Sequence, residues 1–466
     1  MRLTSHNQTC VTTILAFFLV TSSIFAQPKP YEKPAPPEGA KEFAPDIPAD
    51  AGQHLALSIR KLENGFSPER PFLIWALGSS YTARLGNGEI LIPMLKDKFG
   101  DDRKFEYKRM VGNSCPWQYL RGWARQMVIA DQPDLVIVNT IGKLDDLEKL
   151  IVLLQSHTTA DIIIPSIHWR ERGKPNWDQG LETAPDQDVP GLRKLCAKYG
   201  VEFVELRREW KKYLEANNLP IESLLGDPVH QSPYGAWMVN YMLAQHFQQR
   251  DSYAYDPQSR EQLFLPPDPR RGKITFDFTG NRVDMLARGG KGSVRISIDG
   301  QSAEFYPSFR MTYIQPAKTN FQERRSPARD QSPHGVKLGE NIEPQHWTIT
   351  VLDDQGNYEL EGSVTGKDGR GNAYQPFTSN SGQIIIPPEE WRRAERNKPG
   401  DKFSWDVERA TVGEVVDFAK YDANEPFRLT LASNLENTRH TLTIQYLTDF
   451  VVDIEHLQVF TPPISD

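Results

Sequence analysis

PFLIWALGSSYT, residues 71–82, is the stretch that decides the fold. Phe72 to Leu77 is a continuous apolar run, too short for a helix and closed by Gly78. Such a run is expected of a strand buried on both faces. Two further runs repeat the pattern, LVIVNTIG (135–142) and ADIIIPSI (160–167). KFEYKRMV (104–111) alternates, and Val201 to Leu206 reads as a short strand. Between the runs lie helix-like stretches, Asn87 to Phe99, Pro116 to Ala130, Leu144 to Gln155, Pro190 to Tyr199 and Ser232 to Gln249. Leu147, Leu150, Ile151 and Leu154 fall on one face of the third. Buried strands alternating with helices predict an α/β domain over residues 70–250, a three-layer αβα sandwich around a parallel sheet.

Outward from that domain the texture changes. Arg2 is the only charged residue before Lys29, the apolar run Val11 to Val20 follows, and Ala26 precedes a polar stretch. This is the pattern of a secretory signal peptide over residues 1–26, and it predicts a secreted or periplasmic protein. Residues 27–69 read as a Pro-rich linker followed by an entry helix, Ala51 to Leu62. The polar, Pro-bearing segment 251–269 reads as a second linker. Beyond it come short alternating strands (KITFDFTG, SVRISIDG, HWTITVL, FRLTLAS, HTLTIQY) and a hairpin signal at Asp299-Gly300. Residues 270–466 therefore read as a C-terminal all-β sandwich. It is expected to be an accessory module, separable near Pro266, with Tyr306, Phe309, Tyr313 and Trp347 as candidate sugar platforms.

Composition bounds the function. The 466 residues carry a formal charge of −7, which excludes the basic footprint of a nucleic-acid binder. No apolar stretch after the N-terminus reaches the length of a membrane helix, so no stable membrane insertion is expected. Three cysteines and the absence of His/Cys ligand spacing leave no metal site. Export places Cys115 and Cys196 in an oxidising compartment, and spacing leaves their pairing open. The oligomeric state is equally open.

In a parallel sheet, chemistry gathers beyond the carboxyl ends of the strands. There the chain places Gly78-Ser79-Ser80, then Gly112-Asn113, then Asn139 to Gly142, then His168-Trp169-Arg170, and finally Asp227-Pro228-Val229-His230. A serine needs an imidazole to take its proton, and the imidazole needs a carboxylate to hold its tautomer. Asp and His three residues apart meet through a tight turn. The tetrahedral intermediate needs fixed N–H donors. These are the parts of acyl transfer, which requires no cofactor. His168, Trp169 and Arg170 follow a strand end and are candidate substrate-binding residues.

The order Gly-x-Ser, Gly, Asn, Asp-x-x-His resembles the SGNH (GDSL-like) hydrolase superfamily across residues 70–250. HTTADIIIPSIHW, LCAKYGVEFVELRREWKKYL and DPVHQSPYGAWMVNYML resemble secreted bacterial members with a C-terminal β domain, as do FTGNRVDMLA, ISIDGQ and RHTLTIQ further on. The resemblance implies a flavodoxin-like SGNH fold and a serine esterase. Ser80 falls on the nucleophile, Asp227 on the orienting acid and His230 on the base. Gly112 falls on the second-block oxyanion donor; the Ser80 N–H and Asn139, at the end of its strand, are further candidate oxyanion donors, with Asn113 as the alternative to Asn139. The first block carries Ser79 where the family usually has Asp, and VNTIGKLDD lacks the usual Gly-x-Asn-Asp. Many members act on acylated polysaccharides, so an acylated glycan is the expected substrate and deacetylation the expected reaction. A lipid or aryl esterase and a non-catalytic glycan-binding protein are the rival readings.

Overall fold

The computed structural model describes residues 31–64, 70–111, 119–267, 272–305, 308–314, 331–422, 425–448 and 451–464. The expected signal peptide, Gly112, Asn113, Cys115 and Tyr306 lie outside them. The expected parallel sheet is present, with strands β1 (Phe72–Gly78), β2 (Phe105–Val111), β3 (Leu135–Asn139), β4 (Asp161–Pro165) and β5 (Glu202–Val204). Their order is β2-β1-β3-β4-β5, all parallel. β1, β3 and β4 are buried at every residue. Leu73, Trp75 and Leu77 pack with Met127, Leu150, Leu154 and Leu192, from three helices on one face. The alternate residues Phe72, Ile74 and Ala76 are buried on the other. The result is the αβα arrangement, and its strand order reverses between β1 and β3.

That reversal opens a crevice, and Gly78 closes its floor. A Cβ at Gly78 would lie 2.0 Å from the Asn139 carbonyl oxygen and 2.1 Å from Thr82 Oγ1. Only glycine lets β1 end so close to β3. Thr82 Oγ1 donates to that carbonyl at 2.9 Å and the Ser79 N–H at 3.3 Å. The chain then turns directly into a short helix, α1 (Ser80–Arg84), capped by Ser79 Oγ accepting from the Tyr81 N–H at 3.2 Å.

The two segments expected to be linkers are built into the fold. In the N-terminal one, Phe43 is buried against the rings of Tyr213 and Tyr241. The Phe43 N–H donates to Tyr234 OH at 3.0 Å and the Asp46 N–H to Glu209 Oε2 at 2.9 Å. Proline-rich backbone stays extended, yet one aromatic anchor and side-chain acceptors suffice to dock it. The segment 251–269 contributes a strand, Glu261–Phe264, which pairs with Val451–Phe460. Its Glu261 is buried and accepts from Lys61 at 2.8 Å and Gln458 at 2.9 Å. Lys61 also reaches Asp134 at 2.6 Å, and Asp134 accepts from the Leu73 N–H at 2.7 Å. Burial raises the Asp134 carboxyl, but Arg70 and Lys61 outweigh it and hold the group below its ordinary value. Next to it Arg260 pairs with Asp161 at 3.0 Å. A polar segment is thus buried because its charges meet partners far away in the chain.

The β region is more than one sandwich. Lys273–Gly280, Ser293–Ile298 and Thr438–Tyr446 form one antiparallel sheet, and Arg282–Lys291, Pro426–Ala432 and Val451–Phe460 with Glu261–Phe264 form another. They share a core of Ile296, Leu442, Leu429 and Leu457. Nested between Gln301–Ser302 and Val415–Asp417 is a second unit, a five-stranded sheet (Phe309–Ile314, Lys402–Arg409, Gln345–Val351, Asn357–Gly362, Gly366–Asn372) and a three-stranded one. Its Met311, Trp347 and Leu360 belong to the same continuous apolar cluster as Leu73 and Leu150 of the α/β part. Trp347 is fully buried, so it is core rather than a sugar platform, and Phe309 packs half-buried on that core. The side chain of Tyr313 lies outside the described residues. Residues 33–466 form a single compact unit.

Two stability outcomes are expected. Lys61→Met leaves Glu261 and Asp134 short of their shared cation and should cost about 3–5 kcal/mol in urea unfolding; the double variant Lys61→Met/Glu261→Gln should recover part of it. Gly78→Ala forces a methyl group into the β3 carbonyl and should lower stability by about 1–3 kcal/mol, read by thermal unfolding. A wild-type melting temperature for Gly78→Ala would mean that the β1–β3 approach is not tight.

Candidate active site

Ser80 stands exposed at the first turn of α1, beyond the carboxyl end of β1 and at the point where the strand order reverses. Ligands bind at such switch points in open parallel sheets. His230 Nε2 lies 2.7 Å from Ser80 Oγ. On its other side, His230 Nδ1 lies 2.8 Å from Asp227 Oδ2 and 3.0 Å from Oδ1. A carboxylate can only accept, so Nδ1 carries the hydrogen and Nε2 is left to accept from the serine hydroxyl.

The Asp227–His230 turn makes this geometry locally. Asp227 Oδ1 accepts from the Val229 N–H at 2.9 Å and the His230 N–H at 2.8 Å. Those donors, first Val229 and then the His230 ring and N–H, pull the Asp227 carboxyl down to about 2. Arg84, one turn along α1 from Ser80, sets its guanidinium 3.7 Å from Asp227 Oδ2. The Gly226 N–H donates to the His230 carbonyl at 2.9 Å, and Ser232 caps the following helix, Pro233–Gln245, by accepting from the Gly235 N–H at 3.1 Å. The three residues expected to work together are therefore brought together.

The expected oxyanion donors fare differently. The Ser80 N–H belongs to a first helical turn, where N–H groups lack intrahelical acceptors. Asn139 ends β3, and its main-chain carbonyl is engaged by Thr82 and Ser79. Gly112 and Asn113 lie outside the described residues.

His168, Trp169 and Arg170 are not placed to meet a substrate. All three are buried. His168 Nε2 donates to the Val229 carbonyl at 3.0 Å. Trp169 Nε1 donates to the Arg207 carbonyl at 3.0 Å, with the Arg207 guanidinium 3.4 Å above its ring. Arg170 donates to Tyr81 OH at 2.6 Å and to both Asp186 oxygens at 2.6 Å. The strand end that looked open is roofed by the loop around residues 182–187 and by the helix Leu206–Ala216, which was not among the expected helices. Two residues of that roof escaped sequence reasoning. Gln187 accepts from the Ile167 N–H at 2.8 Å and donates to the Thr140 carbonyl at 3.1 Å, joining the loops after β3 and β4. Arg207 donates to the carbonyls of Glu182 at 2.6 Å and His168 at 3.2 Å. Neither carries a motif; each acts through main-chain groups that no spacing rule locates. Cys196 is a buried free thiol in the core, its ionisation pushed up to about 12 by burial.

Among the described residues, no group of His, Cys, Asp and Glu side chains is arranged to hold a metal ion. No helix among them is long and apolar enough to cross a membrane.

No family model matches the chain, and no curated protein does. Among solved structures, it is similar to a two-domain esterase active on acetylated mannans, co-crystallised with mannopentaose. The identity is 11%, over 88% of this chain and 95% of the other, with a TM-score of 0.32. It is also similar to Axe2, an acetylxylan esterase from Geobacillus stearothermophilus, at 16% identity over 40% of this chain and 97% of the other, with a TM-score of 0.30. Similarities of this size carry no argument about function, which rests on the site's own geometry.

Proposed function

We propose that this protein is a secreted serine esterase that removes O-acyl groups, foremost O-acetyl groups, from a polysaccharide or oligosaccharide. The observation that carries the reading is the unbroken line from Ser80 Oγ through His230 to Asp227, at 2.7 and 2.8 Å. Ser80 attacks the acyl carbonyl while Nε2 of His230 takes its proton. Asp227, held ionised, stabilises the imidazolium through Nδ1–H. The Ser80 N–H faces the developing oxyanion, with Gly112 and the amide of Asn139 or Asn113 as further donors. His230 then protonates the departing sugar oxygen. Water, activated by the same imidazole, releases the carboxylate and restores the serine.

The glycan class rests on the resemblance in the sequence and on a polar rim. Arg84 and Arg172 are exposed beside the site, and the Glu171 N–H donates to the Pro228 carbonyl at 3.2 Å, bringing that segment against the turn. Such a rim suits a hydroxyl-rich substrate better than a long acyl chain. The intact serine–histidine–aspartate line favours an enzyme over a binding protein. Export is supported by residues 1–26.

The test is hydrolysis of nitrophenyl acetate and longer acyl esters, with acetate release from acetylated polysaccharide. Ser80→Ala should lower kcat by at least about a thousandfold. Ser79→Ala removes a helix cap worth about 1 kcal/mol and should keep most of the activity. The reverse ranking would put the nucleophile at Ser79. Asp227, depressed to about 2, stays charged through the ordinary carboxylate range and should add no acidic limb to the kcat profile there. An acidic limb in that range would count against Asp227 as the partner of His230.

A further inference from the structure

Two separate parts of the chain must hold still relative to each other for Ser80 and His230 to stay 2.7 Å apart. Ser80 rides on α1, and His230 rides on a surface turn whose Val229 side chain is 38% exposed. Little apolar packing holds such a turn from outside, so hydrogen bonds must. One comes from the Glu171 N–H to the Pro228 carbonyl, and another from His168 Nε2 to the Val229 carbonyl at 3.0 Å.

His168 touches the other part as well. Its ring meets the ring of Tyr81, the residue after the nucleophile, edge-on at 4.9 Å and 87°. Tyr81 in turn lies 6.0 Å from the His230 ring, and Trp210 closes the far side of His168 at 5.3 Å. Tyr81 is itself fixed by Arg170. A single buried imidazole at the end of β4 thus contacts the neighbours in sequence of both Ser80 and His230.

We infer that His168 is a positioning residue, which sets the Ser80–His230 distance by bonding the Val229 carbonyl while packing on Tyr81. A carbonyl only accepts, so the tie needs the hydrogen on Nε2, as in the neutral Nε2–H tautomer. The groups facing the ring are Tyr81 from α1, Arg170 from its own loop, Arg207 and Trp210 from the helix Leu206–Ala216, and His230 from the turn. Burial pushes the ring down to about 3, and the neighbouring Arg170, Arg207 and His230 act in the same direction against the Val229 bond. His168 therefore stays neutral near neutral pH, and the tie keeps its Nε2 hydrogen.

The kinetic arm rests on the esterase reading; a spectroscopic arm does not. His168→Phe keeps a ring against Tyr81 and loses the donor. It should lower kcat roughly 10–100-fold with KM nearly unchanged, because a misplacement of about 1 Å costs that much. Labelling of Ser80 by a fluorophosphonate should slow in parallel. His168→Gln, which retains a donor at similar reach, should recover most of both rates. In NMR, the downfield Nδ1 proton of His230, bonded to Asp227, should broaden in His168→Phe but not in His168→Gln. A folded His168→Phe with wild-type kcat, labelling rate and His230 Nδ1 proton resonance would overturn the inference. Equal losses in the Phe and Gln variants would do so too, since lost shape rather than a lost donor would then be the cause. If His168→Phe does not fold, His168→Gln and His168→Asn take its place, differing by one methylene of reach; equal behaviour of that pair is the overturning result. A wild-type protein that hydrolyses no ester would sink the esterase reading alone, and the His230 spectra would still decide the role of His168.

Discussion

Everything at the site hangs on the close approach of two strand ends. Gly78 brings β1 so near the Asn139 carbonyl that a methyl group would overlap it, and Thr82 and Ser79 both donate to that oxygen. The Ser79–Thr82 turn is therefore pinned to β3 before any contact with the rest of the protein is counted. Ser80 inherits its exposed position from that pin, and the reversal of strand order supplies the crevice in front of it. Strain is avoided because the residue at the contact has no Cβ.

Around this point the protein spends buried polar groups rather than apolar ones. Arg170, Gln187, Arg207 and His168 each bond main-chain or side-chain oxygens of loops that would otherwise be free. A loop cannot present a regular ladder, so its carbonyls need side-chain donors when they are covered. Arg suits the task because one planar guanidinium can satisfy several acceptors at fixed angles. The reacting groups stay exposed while the groups that hold them are out of solvent, as a preorganised site requires.

The same economy joins the β region to the α/β part. Lys61, Asp134, Glu261 and Gln458 form one buried hydrogen-bonded set drawn from the entry helix, the loop before β3, the strand Glu261–Phe264 and the last strand. The nested sheets add apolar contact, since Met311 and Trp347 share a cluster with Leu73. A chain ending near Pro266 would strip that cluster and leave Glu261 without its strand partner, so the β region is structural to the whole.

The sequence by itself determined the parallel sheet, because continuous apolar runs closed by Gly or Pro allow little else. It also allowed the pairing of Asp227 with His230, since residues three apart can meet through a tight turn, as they do in the structure. Ser80 stood out only beside Asp227 and His230 in the same domain and through the SGNH resemblance, since a Ser-Ser pair after a strand is by itself ordinary turn chemistry. What it could not determine were contacts between residues far apart in the chain. Polar residues 251–269 read as a linker because Arg260 and Glu261 are buried only when Asp161 and Lys61 arrive from elsewhere. His168, Trp169 and Arg170 read as substrate contacts because a strand end looks open until the helix Leu206–Ala216 and the loop before it close over it. That helix was not assigned from the sequence although Leu206, Trp210, Tyr213 and Leu214 recur at helical spacing on its buried side; what the spacing could not show is that Arg207 and Glu209 are buried beside them. Tertiary structure decided these points because the burial of a charge depends on its partner, and a partner's position is not a local property of sequence.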